Sequence, residues 1–231
     1  MVAALAFLIG VAASAVWLMP PDLRDEPIIG TLCQWSQLSD NISHNRFPAD
    51  IYYPVGMFSA DKDGDTVVAR SYSHRLAQMH EPSLASLNGS TVEAYRFLWL
   101  RSFPPAVAIR LWNCGNARCL SVKQIGKLVP SPDGGYMFDD TLTADETRVL
   151  SLDEWNTFRD LIQVAEFWQT PSQNDDPVPF DGAWWVMEGY RNREFNVVSR
   201  NSPIDGAYYE AGRYLIKISG IPVDEAKNEL Y

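Results

Sequence analysis

The residue types that could do chemistry are densest in the stretch DGAWWVMEGYRNREFNVVSR, residues 181–200. Two β-like runs flank the dipeptide at 192–193, and this spacing predicts a β-hairpin with a two-residue turn. In that register Trp185 lies opposite Arg200, which predicts a cation–π pair. Glu188 falls on the other face, among aromatic and aliphatic side chains. We therefore take Trp185, Glu188 and Arg200 as candidate binding residues.

Glu188 is the anomaly of this hairpin, because a carboxylate on an apolar face needs a partner. The sequence suggests Arg96 or Arg213 as that partner, and burial would perturb the pKa of the carboxyl group. Two interpretations stay open at this point. Glu188 forms a structural ion pair, or it has a binding or acid–base role.

Outside the hairpin the sequence offers few groups that could build a catalytic or metal site. His74 and His80 would lie about 240° apart on one helix, so they cannot hold a metal ion from one face. DKDGD at 61–65 fails the EF-hand pattern and is interpreted as a solvated turn. We find no motif for nucleophilic catalysis, phosphate binding or dinucleotide binding, and predict no catalytic residue, metal or cofactor. Glu81, in the HEPSL turn after that helix, is the remaining candidate binding residue.

Cys114 and Cys119 flank the turn-forming residues 115–116 between two β-like runs. A hairpin would bring the two cysteines opposite each other at bridging distance, which predicts a disulfide. Two reduced thiols and half of a zinc site are the alternatives, and no further ligands are spaced to complete such a site. Cys33 is left over and is interpreted as a buried free thiol.

The overall charge narrows the classes of partner. A formal net charge of −10 argues against a nucleic-acid binder, which needs a basic face to follow phosphates. The chain also lacks a cluster of lysine and arginine that would hold it to anionic lipid. The acidity favours solubility and identifies no partner.

Residues 1–21, MVAALAFLIGVAASAVWLMPP, contain no charged side chain. As a helix the apolar run would span about 27 Å, close to the ~30 Å hydrocarbon core of a bilayer. Trp17 suits the membrane interface, and the following prolines end the helix. We predict a single-pass inner-membrane anchor with the rest of the chain in the periplasm. A cleaved signal peptide, with its cleavage site at 13–15, and a buried core helix are the alternatives.

Hydrophobic periodicity predicts helices at 66–80, from Ser151 onward and at 203–220, and strands at 92–103, 106–112 and 119–128. SLDE at 151–154 is a capping box. The predicted fold class is α+β: an N-terminal transmembrane helix, followed by an antiparallel sheet with helices packed on one face. The corresponding division is an anchor at 1–21, a linker and irregular wrap at 22–66, and a globular domain at 67–231.

Several stretches resemble an uncharacterised family of bacterial exported or membrane-anchored proteins. They are ARSYSHRLAQMHEPSL (69–84), YRFLWLRSF (95–103), LSLDEWNTFRDLIQVAEFW (150–168), DGAWWVMEG (181–189) and FNVVSRNSP (195–203). The resemblance implies an exported domain and no activity. Its recurring tryptophan and glutamate fall on Trp185 and Glu188. This chain departs from the pattern at Asn196, Ser199 and Asn201, which weakens the idea of a catalytic constellation, and its cysteine pair looks like a local addition.

Two hypotheses follow from the sequence. The first is a non-enzymatic envelope domain that binds an unidentified envelope protein through an exposed aromatic hairpin and an exposed HEPSL turn. The second is a periplasmic hydrolase-like enzyme that uses Glu188 or Glu81 as acid or base. A cleft around Glu188 would favour the enzyme. A Glu188 locked to an arginine, without a cavity, would favour the binding domain.

Overall fold

The computed structural model describes residues 52–54, 56–58, 62–89, 91–102, 105–126, 128–132, 134–139, 141–173, 182–227 and 229–231. The predicted anchor at 1–21 and Cys33 lie outside these ranges. Within the described residues, none of the helices has the length and apolar composition needed to cross a membrane.

The described residues form an α+β fold around a six-stranded antiparallel sheet in the order β6-β3-β2-β1-β7-β8. The six strands of this sheet are β1 (Glu93–Arg101), β2 (Ala106–Cys114), β3 (Ala117–Ile125), β6 (Leu142–Val149), β7 (Ala183–Arg191) and β8 (Glu194–Asn201). Two further strands, β4 (Leu128–Pro130) and β5 (Tyr136–Phe138), form a separate hairpin. The helices are α1 (Lys62–Gln78), α2 (Leu152–Val164) and α3 (Gly206–Ser219). A predicted α+β class with an antiparallel sheet is therefore confirmed.

The helices lie on both faces of the sheet, so the prediction that they all pack on one face is wrong. Helices α2 and α3 cover the face that carries Phe97 and Ile109, where Trp155 and Leu215 join the larger core. Helix α1 covers the opposite face, where Leu76 packs with sheet residues. The inner strands β1, β2 and β7 are accordingly buried on both sides. This explains why their sequences are nearly continuous apolar runs instead of alternating ones.

Local sequence signals fix the ends of the second and third helices. The Ser151 side chain accepts a hydrogen bond from the Glu154 amide, and the Glu154 side chain accepts one from the Ser151 amide, so the predicted capping box is present. Helix α3 ends at Gly220, whose φ of 74° places it in the left-handed region that favours glycine.

The segment before the predicted domain boundary at residue 67 contributes to the core. Tyr53 and Phe58 are buried on the α1 side of the sheet, and their rings pack edge to face with centroids 5.0 Å apart. Helix α1 itself begins at Lys62. Residues 62–65 are therefore helical, and the interpretation of DKDGD as a turn is wrong for them.

The cysteine pair forms a disulfide, as the sequence predicts. Cys114 and Cys119 are bonded with their Cα atoms 6.0 Å apart. Their register differs from the expected one, because Cys114 pairs with Ala117 and Cys119 with Trp112. The two cysteines are thus diagonal neighbours on one face, and not directly opposite. Closing so short a loop contributes about 2 kcal/mol on the chain-entropy model, which makes the bond a local constraint on the hairpin.

Candidate functional site

Five charged side chains meet on the α1 face of the sheet, and we refer to them as the buried ionic cluster. They are Glu81, Arg96, Arg110, Lys123 and Glu188. Strands β1, β2, β3 and β7 supply four of them from neighbouring positions, and Glu81 enters from the turn after α1. The exposed fraction of each residue is 9% or less. Charges this far from water have to satisfy one another.

Glu188 is held by Arg96 in a two-point contact. The Nη2 atom of Arg96 lies 2.6 Å from one carboxylate oxygen, and the Nε atom lies 3.0 Å from the other. The Tyr53 hydroxyl also donates to Glu188, at 2.9 Å. Arg213, the other suggested partner, instead pairs with Glu225. The prediction that a buried Glu188 needs an arginine is confirmed, with Arg96 in that role.

The fold of the α1 C-terminus aims Glu81 into the cluster. His80 adopts a left-handed φ of 52°. The amide of His80 donates to the Ala77 carbonyl, and the amide of Glu81 donates to the Leu76 carbonyl. This pair of bonds is a Schellman motif, which ends the helix and turns the chain back towards the sheet. Glu81 then lies 2.8 Å from the Arg110 Nε atom.

Three cations surround Glu81 and decide its protonation state. Burial raises the pKa of the Glu81 carboxyl group, but Arg110, Arg96 and Lys123 together outweigh that effect and hold the pKa below its usual value. A carboxyl group with a lowered pKa stabilises the folded state at every pH above its unfolded value, about 4.3. That contribution is lost only as the pH falls through the folded pKa. Glu81 is therefore an anion at neutral pH.

The cluster also binds backbone carbonyl groups at the end of α1. The Lys123 ammonium donates to the carbonyls of Met79 and His80 at 2.9 and 3.2 Å, and Arg96 donates to the Pro82 carbonyl. Cations are favourable here because the C-terminal end of a helix carries a partial negative charge. The cluster thus fastens α1 and the following turn to four strands of the sheet.

The candidate binding residues of the two surfaces expected to be exposed, Glu81 and Trp185, are buried, while His80 and the hairpin turn at 192–194 are exposed. Glu81 is 3% exposed and Trp185 is 0% exposed. Trp185 is covered because α3 packs against this face of the hairpin, where Tyr209 stacks on the Trp185 ring. The HEPSL turn packs against the sheet, where Glu81 pairs with Arg110 and the Pro82 carbonyl accepts a hydrogen bond from Arg96. The expectation of an exposed aromatic hairpin and an exposed Glu81 is therefore wrong for Trp185 and Glu81.

The hairpin itself has the predicted register. Trp185 lies opposite Arg200, Glu188 lies opposite Val197, and the turn is at 192–193 with positive φ at both residues. The aromatic contacts of Trp185 and Arg200 differ from the predicted cation–π pair, because two tyrosines of α3 pack on this part of the sheet. The Trp185 ring stacks on Tyr209, and the Arg200 guanidinium lies over Tyr208.

The closed geometry limits what the carboxylates can do. The side chains of Glu81 and Glu188 are each 1% exposed. Two surface cavities, of 660 and 520 Å³, are lined by other residues, mainly of α2 and α3. A general acid or base has to come within hydrogen-bonding distance of its substrate. In the part of the chain that the structure describes, both carboxylates are instead engaged by cations and shielded from solvent. Within the described part of the chain, no three His, Cys, Asp or Glu side chains group in a way that could hold a metal ion.

Sequence reasoning missed Arg110, Lys123 and Tyr53 as members of this arrangement. A signal for Arg110 was available in AVAIRLW, where a single charge interrupts an apolar strand. A charged residue within a buried apolar strand is itself buried, and a buried charge needs an opposite charge nearby. No comparable pattern marks Tyr53, which lies outside any helix or strand.

Comparisons with known proteins do not suggest a function for this site. No protein-family model matches the chain, and no similar sequence is found among curated proteins.

Proposed function

We propose that this chain is a membrane-anchored protein of the bacterial envelope whose α+β domain acts through protein contacts and not through catalysis. The observation that carries the proposal is the closed ionic cluster. The two carboxylates suited to acid–base chemistry are held by cations of the same domain and are shielded from solvent. Their arrangement suits a rigid structural core, since neither carboxylate is left for a substrate.

The disulfide supports the extracytoplasmic part of the proposal. Disulfides persist in oxidising compartments such as the periplasm and are rare in the cytosol. Cys114 and Cys119 are bonded, and both are buried. The apolar segment at 1–21 and the resemblance to exported bacterial proteins point in the same direction, on the sequence alone.

Partner contacts in this proposal are made by residues other than the hairpin and the HEPSL turn. Among the residues whose burial the structure describes, the exposed large apolar side chains are Val67, Tyr136, Met137, Leu152, Val164 and Ile204. Tyr136 and Met137 are adjacent on β5, outside the main sheet. Successive side chains of a strand point to opposite faces, so the β4–β5 hairpin exposes one large apolar side chain on each side, and it is the place where we would search first for a partner.

Fractionation of cells that express the full-length chain tests the location. We expect the chain in the inner-membrane fraction, with the domain digested when protease is added to spheroplasts. Cys114 and Cys119 should resist alkylation until a reductant is added, as read by peptide mass spectrometry. Full-length protein in the cytosol with every thiol open to alkylation would contradict the proposal.

A Glu188→Gln variant tests the absence of catalysis. We expect purified full-length protein to hydrolyse p-nitrophenyl esters and glycosides no faster than buffer does. We expect the substitution to lower stability, because it removes a buried negative charge from Arg96. A variant that folds normally, keeps its partners and loses a measurable turnover would show that the domain is an enzyme.

A further inference from the structure

The larger surface cavity lies on the opposite side of the sheet from the buried ionic cluster, and we refer to it as the α2 groove. Its volume of 660 Å³ falls within the ~300–1,000 Å³ typical of small-molecule sites. Tyr95, Ile162 and Phe167 form the buried part of its lining, and Trp168 is partly buried there. The outer part carries mostly polar side chains: Asn156, Arg159, Asp160, Gln163, Glu166 and Gln169.

The end of helix α2 builds the aromatic part of the groove. Glu166 has a left-handed φ of 47°. Its amide donates to the Gln163 carbonyl and the amide of Phe167 donates to the Ile162 carbonyl, which is a second Schellman motif. The turn places the Trp168 ring edge to face with both Phe167 and Tyr95, at centroid distances of 5.1 and 6.2 Å.

Gly189 on β7 makes this close packing possible. A Cβ atom there would lie 2.7 Å from Phe167, 3.0 Å from Trp168 and 3.2 Å from Tyr95. A larger residue at this position would push the rings of Phe167 and Trp168 out of the groove.

The charges around the groove nearly balance, and both of its arginines are already engaged. Arg159 lies 3.1 Å from Glu93, and the Arg191 guanidinium lies 4.3 Å from the ring centroid of Trp168. These two arginines face three carboxylates, those of Glu93, Asp160 and Glu166. An anionic ligand would meet a slight excess of negative charge, and a cationic ligand would approach two guanidinium groups. No single sign of charge dominates the lining, and an uncharged ligand would meet its amide side chains without displacing an ion pair.

Hydrogen-bonding capacity in the groove is large and of both kinds. Asn156, Gln163 and Gln169 each present two N–H donors and a carbonyl acceptor. The indole Nε1 of Trp168 is buried and has no acceptor among the residues that the structure describes. An uncharged ligand with many hydroxyl or amide groups would match this lining, and its C–H groups would contact the partly buried Trp168 ring.

We propose that the α2 groove binds an uncharged oligosaccharide. A peptide is the competing neutral ligand. Peptide recognition relies on a free sheet edge or on apolar pockets for side chains. Here the donors and acceptors come from side chains of a helix and its following turn, and the strands behind them, β1 and β7, are inner strands. The proposal holds independently of where the domain resides in the cell.

Calorimetric titration of the purified full-length chain tests the proposal. Tetra-N-acetylchitotetraose and maltotetraose serve as uncharged sugar probes, and N-acetylated, C-amidated tetra-alanine serves as the peptide probe. We expect saturable binding of at least one sugar at millimolar concentration. In an Asn156→Ala/Gln163→Ala double variant, the loss of two hydrogen bonds should weaken that binding about tenfold or more. Both side chains are exposed on α2, so the fold is retained.

Gln78→Ala is the matched control, since this amide lies on α1 and bonds to Arg75 and His74 on the other side of the sheet. It should leave sugar binding unchanged. Three results would each overturn the proposal: neither sugar binds, a sugar binds equally well to the double variant, or the peptide alone binds with the same dependence on Asn156 and Gln163.

Discussion

Replacement of Arg96 by methionine should destabilise the domain by about 3–5 kcal/mol, the usual cost of removing one partner from a buried ion pair. Arg96 is 0% exposed and holds Glu188 at two points. Methionine fills much of the same volume without a charge, so the buried Glu188 side chain would lose its guanidinium partner and keep a hydroxyl group from Tyr53 as its remaining described partner. Urea unfolding of the full-length chain, followed by circular dichroism, measures the loss.

Arg148→Met provides the matched control. Arg148 forms a comparably short pair with Glu154, at 2.7 Å, but its side chain is 44% exposed. Water screens such a pair, and we expect this variant to lose less than about 1 kcal/mol. Equal losses in the two variants would mean that burial of the Arg96–Glu188 pair has no energetic weight, and the structural interpretation of the cluster would fail.

An Arg96→Met/Glu188→Leu double variant separates the strength of the pair from the cost of an orphaned charge. Replacing both members of a buried pair with apolar residues is often close to neutral. We expect the double variant to be more stable than Arg96→Met alone. Some loss should persist, because Arg96 also donates to the Pro82 carbonyl and lies 3.5 Å from Glu81. With the Glu188→Leu single variant added, the full double-mutant cycle measures the coupling between the two side chains.

The Arg96–Glu188 pair illustrates what can be read from this sequence. A hairpin register depends on short-range turn chemistry, so every pairing predicted for residues 181–200 agrees with the structure. The need for a cation beside Glu188 follows from its apolar face. The choice between Arg96 and Arg213 does not, because it depends on which strand lies beside β7. Strand order is a long-range property with no local signal.

For a related reason, the sequence did not predict the edge strand β6 or the side of the sheet that helix α1 covers. Strand β6 was not predicted, because LTADETRV is exposed along most of its length and lacks an apolar repeat. Helix α1 was predicted as a helix, but its amphipathic pattern does not indicate which side of the sheet it covers. The hydrophobic pattern of a helix is the same whichever face of the sheet the helix covers. Burial of the HEPSL turn depends on which face of the sheet α1 covers.

Replacement of Trp185 by alanine should destabilise the domain by about 3–5 kcal/mol, as expected for a large aromatic side chain removed from a packed core. The Trp185 ring is 0% exposed and stacks on Tyr209 with centroids 5.6 Å apart. Helix α3 approaches so closely that a Cβ atom on Gly212 would lie 2.5 Å from this ring. The cavity left by alanine cannot be filled without moving α3. Urea unfolding again gives the change in free energy.

Trp184→Ala is the matched control for this prediction, because Trp184 is the neighbour of Trp185 on β7, points to the opposite face and is half-buried. Its removal should cost clearly less than removal of Trp185. The close contact with Gly212 supplies a second check: Gly212→Ala should be destabilising alone, since the added methyl group overpacks the core, and should be tolerated once Trp185 is alanine. If Trp185→Ala keeps near-normal stability and loses a binding partner, Trp185 is a recognition residue that becomes exposed, and its packing against α3 is not what holds this face of the sheet together.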